Sequence, residues 1–131
     1  MKEPVWIPVA AVRAIHFELI AEYGGLPGVR DQNLLESALA RPRNLFAYEG
    51  ADLFHLAAAY AYGFARNHPF LDGNKRMAFA SIAVFLDLNG YELLADKADA
   101  IETMLTLAAG GVSQEELAAW IRANVHTRRR K

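Results

Sequence analysis

Apolar residues recur at helical spacing along most of this chain, and glycine, proline and capping residues mark the breaks between runs. From Val9 to Tyr23, the positions Val12, Ile15, Leu19 and Ile20 follow a helical period. Pro8 suits a first helical position, and Gly24-Gly25 supplies a stop. Asp31 is a good N-cap for a second helix over Gln32 to Ala40, which Arg41-Pro42 should end. Residues 43–50, with Leu45, Phe46 and Tyr48, then read as an ordered loop, either a flap facing a substrate or aromatics packed on the core.

Two further helices are apolar on nearly every face, which marks them as buried. The first runs from Leu53 to Asn67 behind the cap Asp52, with His55 a surface or capping residue near its start. The second runs from Asn74 to Leu88 and stops at Asn89-Gly90. Tyr91 to Ala95 is a short extended link, and Asp96 to Ala109 is a helix ended by Gly110-Gly111. Ser113 with Glu116 matches a capping box, so the last helix runs from there to about Asn124. These elements predict an all-α fold: a bundle of about six helices around two buried central ones, with residues 1–131 forming one domain. Residues 126–131 form a basic tail, read as a solvated end.

Composition narrows the chemistry. Apolar residues make up 53% and charged residues 22%, enough to build a core. No cysteine is present, which excludes disulfides, a thiol nucleophile and zinc–thiolate sites. A formal net charge of −1 gives no global pull toward nucleic acid or membrane. The N-terminus lacks the apolar run of a signal peptide, and Met77 to Leu86 is too short for a membrane span. The expectation is a cytoplasmic, soluble protein.

The chemistry concentrates between the two central helices, in His68-Pro69-Phe70-Leu71-Asp72-Gly73-Asn74-Lys75-Arg76. Pro69 disfavours helix at His68, and a new helix begins near Gly73 or Asn74. Lys75 and Arg76 then fall in its first turn, where the backbone already carries partial positive charge. Cations are costly there unless an anion lies among them, and the free N–H groups of that turn are a phosphate site. His68 stands on the rim as a candidate base, and Asp72 as a candidate Mg²⁺ ligand beside phosphates. Arg66, two residues before His68, is a further candidate for the same phosphate. Asp72 as a mere N-cap is the structural alternative. His16, beside the apolar stripe of the first helix, reads as a structural histidine.

These nine residues resemble the HPFxDGN-R signature of the Fic/Doc family, in the form with lysine at the penultimate position that belongs to its Doc (death-on-curing) branch. The resemblance extends from about Val12 to Tyr91 through Tyr23-Gly24-Gly25, Gly28-Val29-Arg30-Asp31, Ala40-Arg41-Pro42, Asp52-Leu53-Phe54 and Leu88-Asn89-Gly90-Tyr91. It implies a small helical bundle in which His68 is the general base, Asp72 holds Mg²⁺, and Asn74 and Arg76 hold phosphates. Gly73 would let backbone amides approach the anion. Lys75 replaces the glycine of AMP-transferring Fic enzymes. In Doc-like members that lysine accompanies a reversed ATP, so that a threonine of elongation factor Tu is phosphorylated and translation stops. No Ser/Thr-x-x-x-Glu-Gly/Asn self-inhibitory helix is found, so the resemblance implies inhibition by a separate Phd-type antitoxin. Gly73 is shared with AMP-transferring members. AMP transfer to a protein hydroxyl is therefore the alternative, and a non-catalytic interaction module is a third reading.

Overall fold

A computed structural model describes residues 2–128. Six helices appear in the order α1 (Val9–Tyr23), α2 (Gln32–Glu49), α3 (Leu53–Asn67), α4 (Asn74–Leu88), α5 (Lys97–Ala108) and α6 (Gln114–Ala123). Two short strands, β1 (Tyr91–Leu93) and β2 (Val125–Thr127), pair antiparallel with Glu92 opposite His126. The expected all-α bundle is thus the observed architecture, with one small ribbon added.

Helix α3 is the central post. Leu56 to Ala61 and Gly63 to Ala65 are all buried, because α2, α4, α5 and α6 pack around it. Its alanines keep the neighbouring backbones close. At Gly63 a Cβ would lie 3.1 Å from Ala38 Cα on α2, tighter than an ordinary contact, so glycine suits this close approach of the two helices. The large side chains Tyr60, Phe64, Phe70 and Phe85 fill the space between α3, α4 and the loop that joins them. Tyr60 keeps a hydrogen bond there, its hydroxyl accepting from the Ile7 N–H at 3.2 Å, and burial raises the phenol's pKa.

Helix α2 corrects the expected boundary. It does not stop at Arg41-Pro42 but continues to Glu49, so residues 43–50 are helix up to that point and not a flap. An interior proline costs a helix about 3 kcal/mol, since it cannot donate to the carbonyl four residues back. Tertiary contacts offset this cost. The Arg41 guanidinium lies 4.3 Å from the Tyr62 ring centroid and donates to Gln114 at 2.7 Å. The Phe46 ring meets Trp6 edge-on at 5.9 Å, and Trp6 in turn stacks on Phe85.

The caps follow the sequence elsewhere. Asp31, Asp52 and Asp96 each accept a backbone N–H three residues on. Ser113 and Glu116 form both bonds of a capping box. The basic tail divides: His126 and Thr127 belong to β2, and Arg128 binds the Asp87 carboxylate at 2.8 Å. Residues 129–131 lie outside the described residues. No helix among those described is long and apolar enough to cross a membrane.

Candidate active site

Residues 68–73 form a loop between the two central helices, and four elements fix its shape. His68 is the C-cap of α3, at φ 51° and ψ 56°, and is the one non-glycine residue with positive φ among those described. Pro69 and Phe70 then turn inward and are buried. Phe70 forms an antiparallel bridge with Val29. The Arg30 and Asp31 N–H groups both donate to the Pro69 carbonyl, at 2.7 and 3.1 Å, and the Leu71 N–H donates to Gly28.

Asn74, at the start of α4, closes the loop from the other side. Its Oδ1 accepts from the Phe70 N–H and its Nδ2 donates to the Phe70 carbonyl, both at 3.0 Å. Helix α1 supplies the floor. His16 is buried, stacks on Phe70 with ring centroids 3.7 Å apart, and meets the Asp72 carbonyl through Nε2 at 2.8 Å. A carbonyl only accepts, so Nε2 carries the proton. His16 is a satisfied structural histidine, as its place beside the apolar stripe implied.

Asp72 does not cap α4. Its Oδ2 accepts from the Leu26 N–H at 2.7 Å, and the cap position is Gly73 at φ 76°, with no side-chain cap bond. The first-turn N–H groups of α4 are therefore left without a side-chain acceptor. A Cβ at Gly73 would come within 3.1 Å of Ile20 Cδ1 and 3.6 Å of His16 Nε2. The positive φ favours glycine here, and the floor leaves little room for a Cβ.

This uncapped helix end faces a cleft of about 410 Å³. Tyr23, Gly24 and Gly25 form one wall, and Asp72, Gly73, Asn74, Lys75 and Arg76 the other. Gly25 packs so closely that a Cβ on it would lie 3.1 Å from Asp72 Cβ. Arg76 reaches across, donating to the Gly24 carbonyl at 3.3 Å with its guanidinium 5.2 Å from the Tyr23 ring centroid. Lys75 is exposed and pairs with no carboxylate among the described residues. One carboxylate, two cations and a bare helix N-terminus are groups whose chemistry suits an anion such as a phosphate.

No group of three metal-ligating side chains exists among the described residues. A divalent ion would rest on Asp72, with phosphate oxygens and water completing its shell, which is the habit of Mg²⁺ at nucleotide sites. The donor set fits that ion and no all-protein cage.

The structure brings together Asp72, Gly73, Asn74, Lys75 and Arg76. His68 stands exposed at the α3 end of the same loop, outside the lining of the cleft. Arg66 turns away. Its guanidinium lies 5.5 Å from the Tyr62 ring centroid, and a Cβ at Gly110 would be 3.4 Å from its Nη1. It serves the C-terminal end of α3 and does not line the cleft. Asn74, expected to hold phosphate, spends its amide on Phe70. The roles of Arg30 and of the Tyr23–Gly25 wall were not visible in sequence. Both lie in stretches where the family resemblance is strong, but a resemblance alone assigns them no contact.

Comparison with known proteins supports the family resemblance carried by the motif loop. A family model described as "Fic/DOC family" matches residues 6–86. The chain is 36% identical over 110 residues to "Protein kinase doc" of Escherichia phage P1, covering 83% of this chain and 86% of that protein. It is 45% identical over 78 residues to "Toxin Doc" of Mycolicibacterium smegmatis (strain ATCC 700084 / mc(2)155), covering 56% and 58% respectively. The motif loop, its helical frame and these matches together place the chain in the Fic/DOC family.

Proposed function

We propose that this chain is the toxin of a toxin–antitoxin pair and acts as a Mg²⁺- and ATP-dependent protein kinase. The observation that carries the reading is Lys75, a cation with no carboxylate partner among the described residues, which lines the cleft with Asp72 at the uncapped N-terminus of α4. A glycine there would leave room for the inner phosphates against the backbone. Lysine fills that room with a long stem and offers a point charge to a terminal phosphate. The relative named "Protein kinase doc" supports the same reading.

In the proposed reaction a threonine hydroxyl of elongation factor Tu attacks the γ-phosphorus of ATP. The oxygen–phosphorus bond to the β-phosphate breaks, ADP leaves, and the hydroxyl proton passes to the His68 imidazole. Lys75, Arg76 and the α4 N–H groups stabilise charge on the phosphates, which is most of what phosphoryl transfer asks of a protein. Mg²⁺ bound through Asp72 would neutralise the remaining charge. Asn74, Gly73 and His16 hold the loop in the required shape.

The test uses purified elongation factor Tu and ATP labelled at either the γ- or the α-phosphorus. Label from the γ position alone supports the kinase. Label from the α position makes the chain an AMP transferase. A Phd-type antitoxin is the proposed inhibitor, and co-expressing it should restore growth and raise the melting temperature by mass action.

A further inference from the structure

We propose that Arg30 is a positioning residue that holds His68 in its working orientation, an inference that rests on His68 being the base. His68 needs such a support. Its φ of 51° lies in the left-handed region, which strains a residue with a Cβ. Nothing in the imidazole's own surroundings repays this, since it is exposed and makes no side-chain hydrogen bond among the described residues. The main chain does. Arg30 Nε donates to the His68 carbonyl at 2.7 Å, and its Nη2 donates to the Asn67 carbonyl at 2.9 Å. These are the last carbonyls of α3, where partial negative charge suits a guanidinium. The rigid planar fork fits two successive acceptors at once, with less freedom to lose than the flexible stem of a lysine. Arg30 and Asp31 N–H groups then take the Pro69 carbonyl. Three consecutive carbonyls, 67 to 69, are thus held by residues 30 and 31, and the left-handed turn lies in the middle of them.

None of these bonds touches the cleft wall of Asp72 to Arg76. Loss of Arg30 should therefore disturb the base and spare the nucleotide. A simple helix cap would change stability alone. This difference makes the inference testable.

The experiment compares the full chain with Arg30→Met, which removes the donors, and Arg30→Lys, which keeps one cation. Two readouts are taken on folded protein. The first is the His68 backbone φ, from three-bond amide couplings in isotope-labelled protein. The second is kcat and KM for ATP in transfer to elongation factor Tu. Arg30→Met should move His68 out of positive φ and lower kcat by about tenfold to a hundredfold, a cost typical of a misplaced reacting group. KM for ATP should stay within about twofold. Arg30→Lys should recover part of kcat. An unchanged His68 φ, or an unchanged kcat, overturns the proposal. If the unaltered chain transfers no group at all, the kinase reading fails. The coupling measurement still decides whether Arg30 holds His68.

Discussion

The side-chain amide of Asn74 closes on both main-chain groups of Phe70, its Oδ1 accepting from the N–H and its Nδ2 donating to the carbonyl, each at 3.0 Å. This pair sets the curvature of the loop that carries Asp72. Asn74→Ala leaves two buried backbone groups without partners, at about 1–3 kcal/mol for each. The variant should lose stability in urea denaturation as well as activity. A purely phosphate-holding asparagine would lose activity at full stability.

Gly73 is bounded by φ 76° and by Ile20 Cδ1 at 3.1 Å from any added Cβ. Gly73→Ala should destabilise the fold by about 1–2 kcal/mol and displace the start of α4. The check is thermal unfolding together with nucleotide binding by calorimetry. Equal stability and equal binding would contradict the tight packing described.

Asp72→Asn separates charge from shape. The amide oxygen can still accept from the Leu26 N–H, so the loop should stay in place. Binding of Mg-ATP should weaken by about tenfold or more, as when a metal site loses an ordered partner. Titration calorimetry with and without Mg²⁺ reads this directly. Undiminished Mg²⁺ dependence would contradict the role given to the carboxylate.

Asp52 ties the start of α3 to α6 and gives the fold an acid-sensitive contact. Burial pushes its pKa up, but the His55 N–H, the His55 ring and the Arg122 charge together hold it below the usual carboxylate value. A folded pKa below the unfolded one contributes stability at higher pH and loses it as pH falls through the folded value. Asp52→Asn keeps an N-cap but removes the charge. The variant should be less stable than the parent at neutral pH by less than about 1 kcal/mol, because the pair is partly exposed. The difference should vanish in acid below the ordinary carboxylate range. Thermal melts across pH measure it.

Much of this architecture was legible because punctuation and periodicity agree. Asp52 before Leu53, and Asn89-Gly90 after Leu88, bound α3 and α4 where the structure ends them. Pro42 misled because local propensity argues for a stop, whereas Tyr62, Gln114 and Trp6 hold the continuing helix from outside it. Tyr91 to Ala95 read as extended, but β2 and its pairing with β1 were missed for a related reason. Three residues at each site carry too little pattern, and the pairing joins segments more than thirty positions apart. In the site, the residue types of the motif pointed to an anion site, and the structure brings Asp72 to Arg76 together along one cleft. The residue types did not reveal that Asn74 faces Phe70, that Arg66 turns to Gly110, or that Arg30 holds the α3 carbonyls. Those facts depend on which side chains the fold makes neighbours.

In the proposed kinase reaction Lys75 directs the terminal phosphate, and not the inner one, to the base. Intact-mass analysis of elongation factor Tu after incubation with this chain, Mg²⁺ and ATP tests it most directly. The unaltered chain should add one phosphoryl group, His68→Ala should add none, and Lys75→Gly should lose phosphoryl transfer. Addition of an adenylyl group by the unaltered chain would contradict the proposed kinase activity.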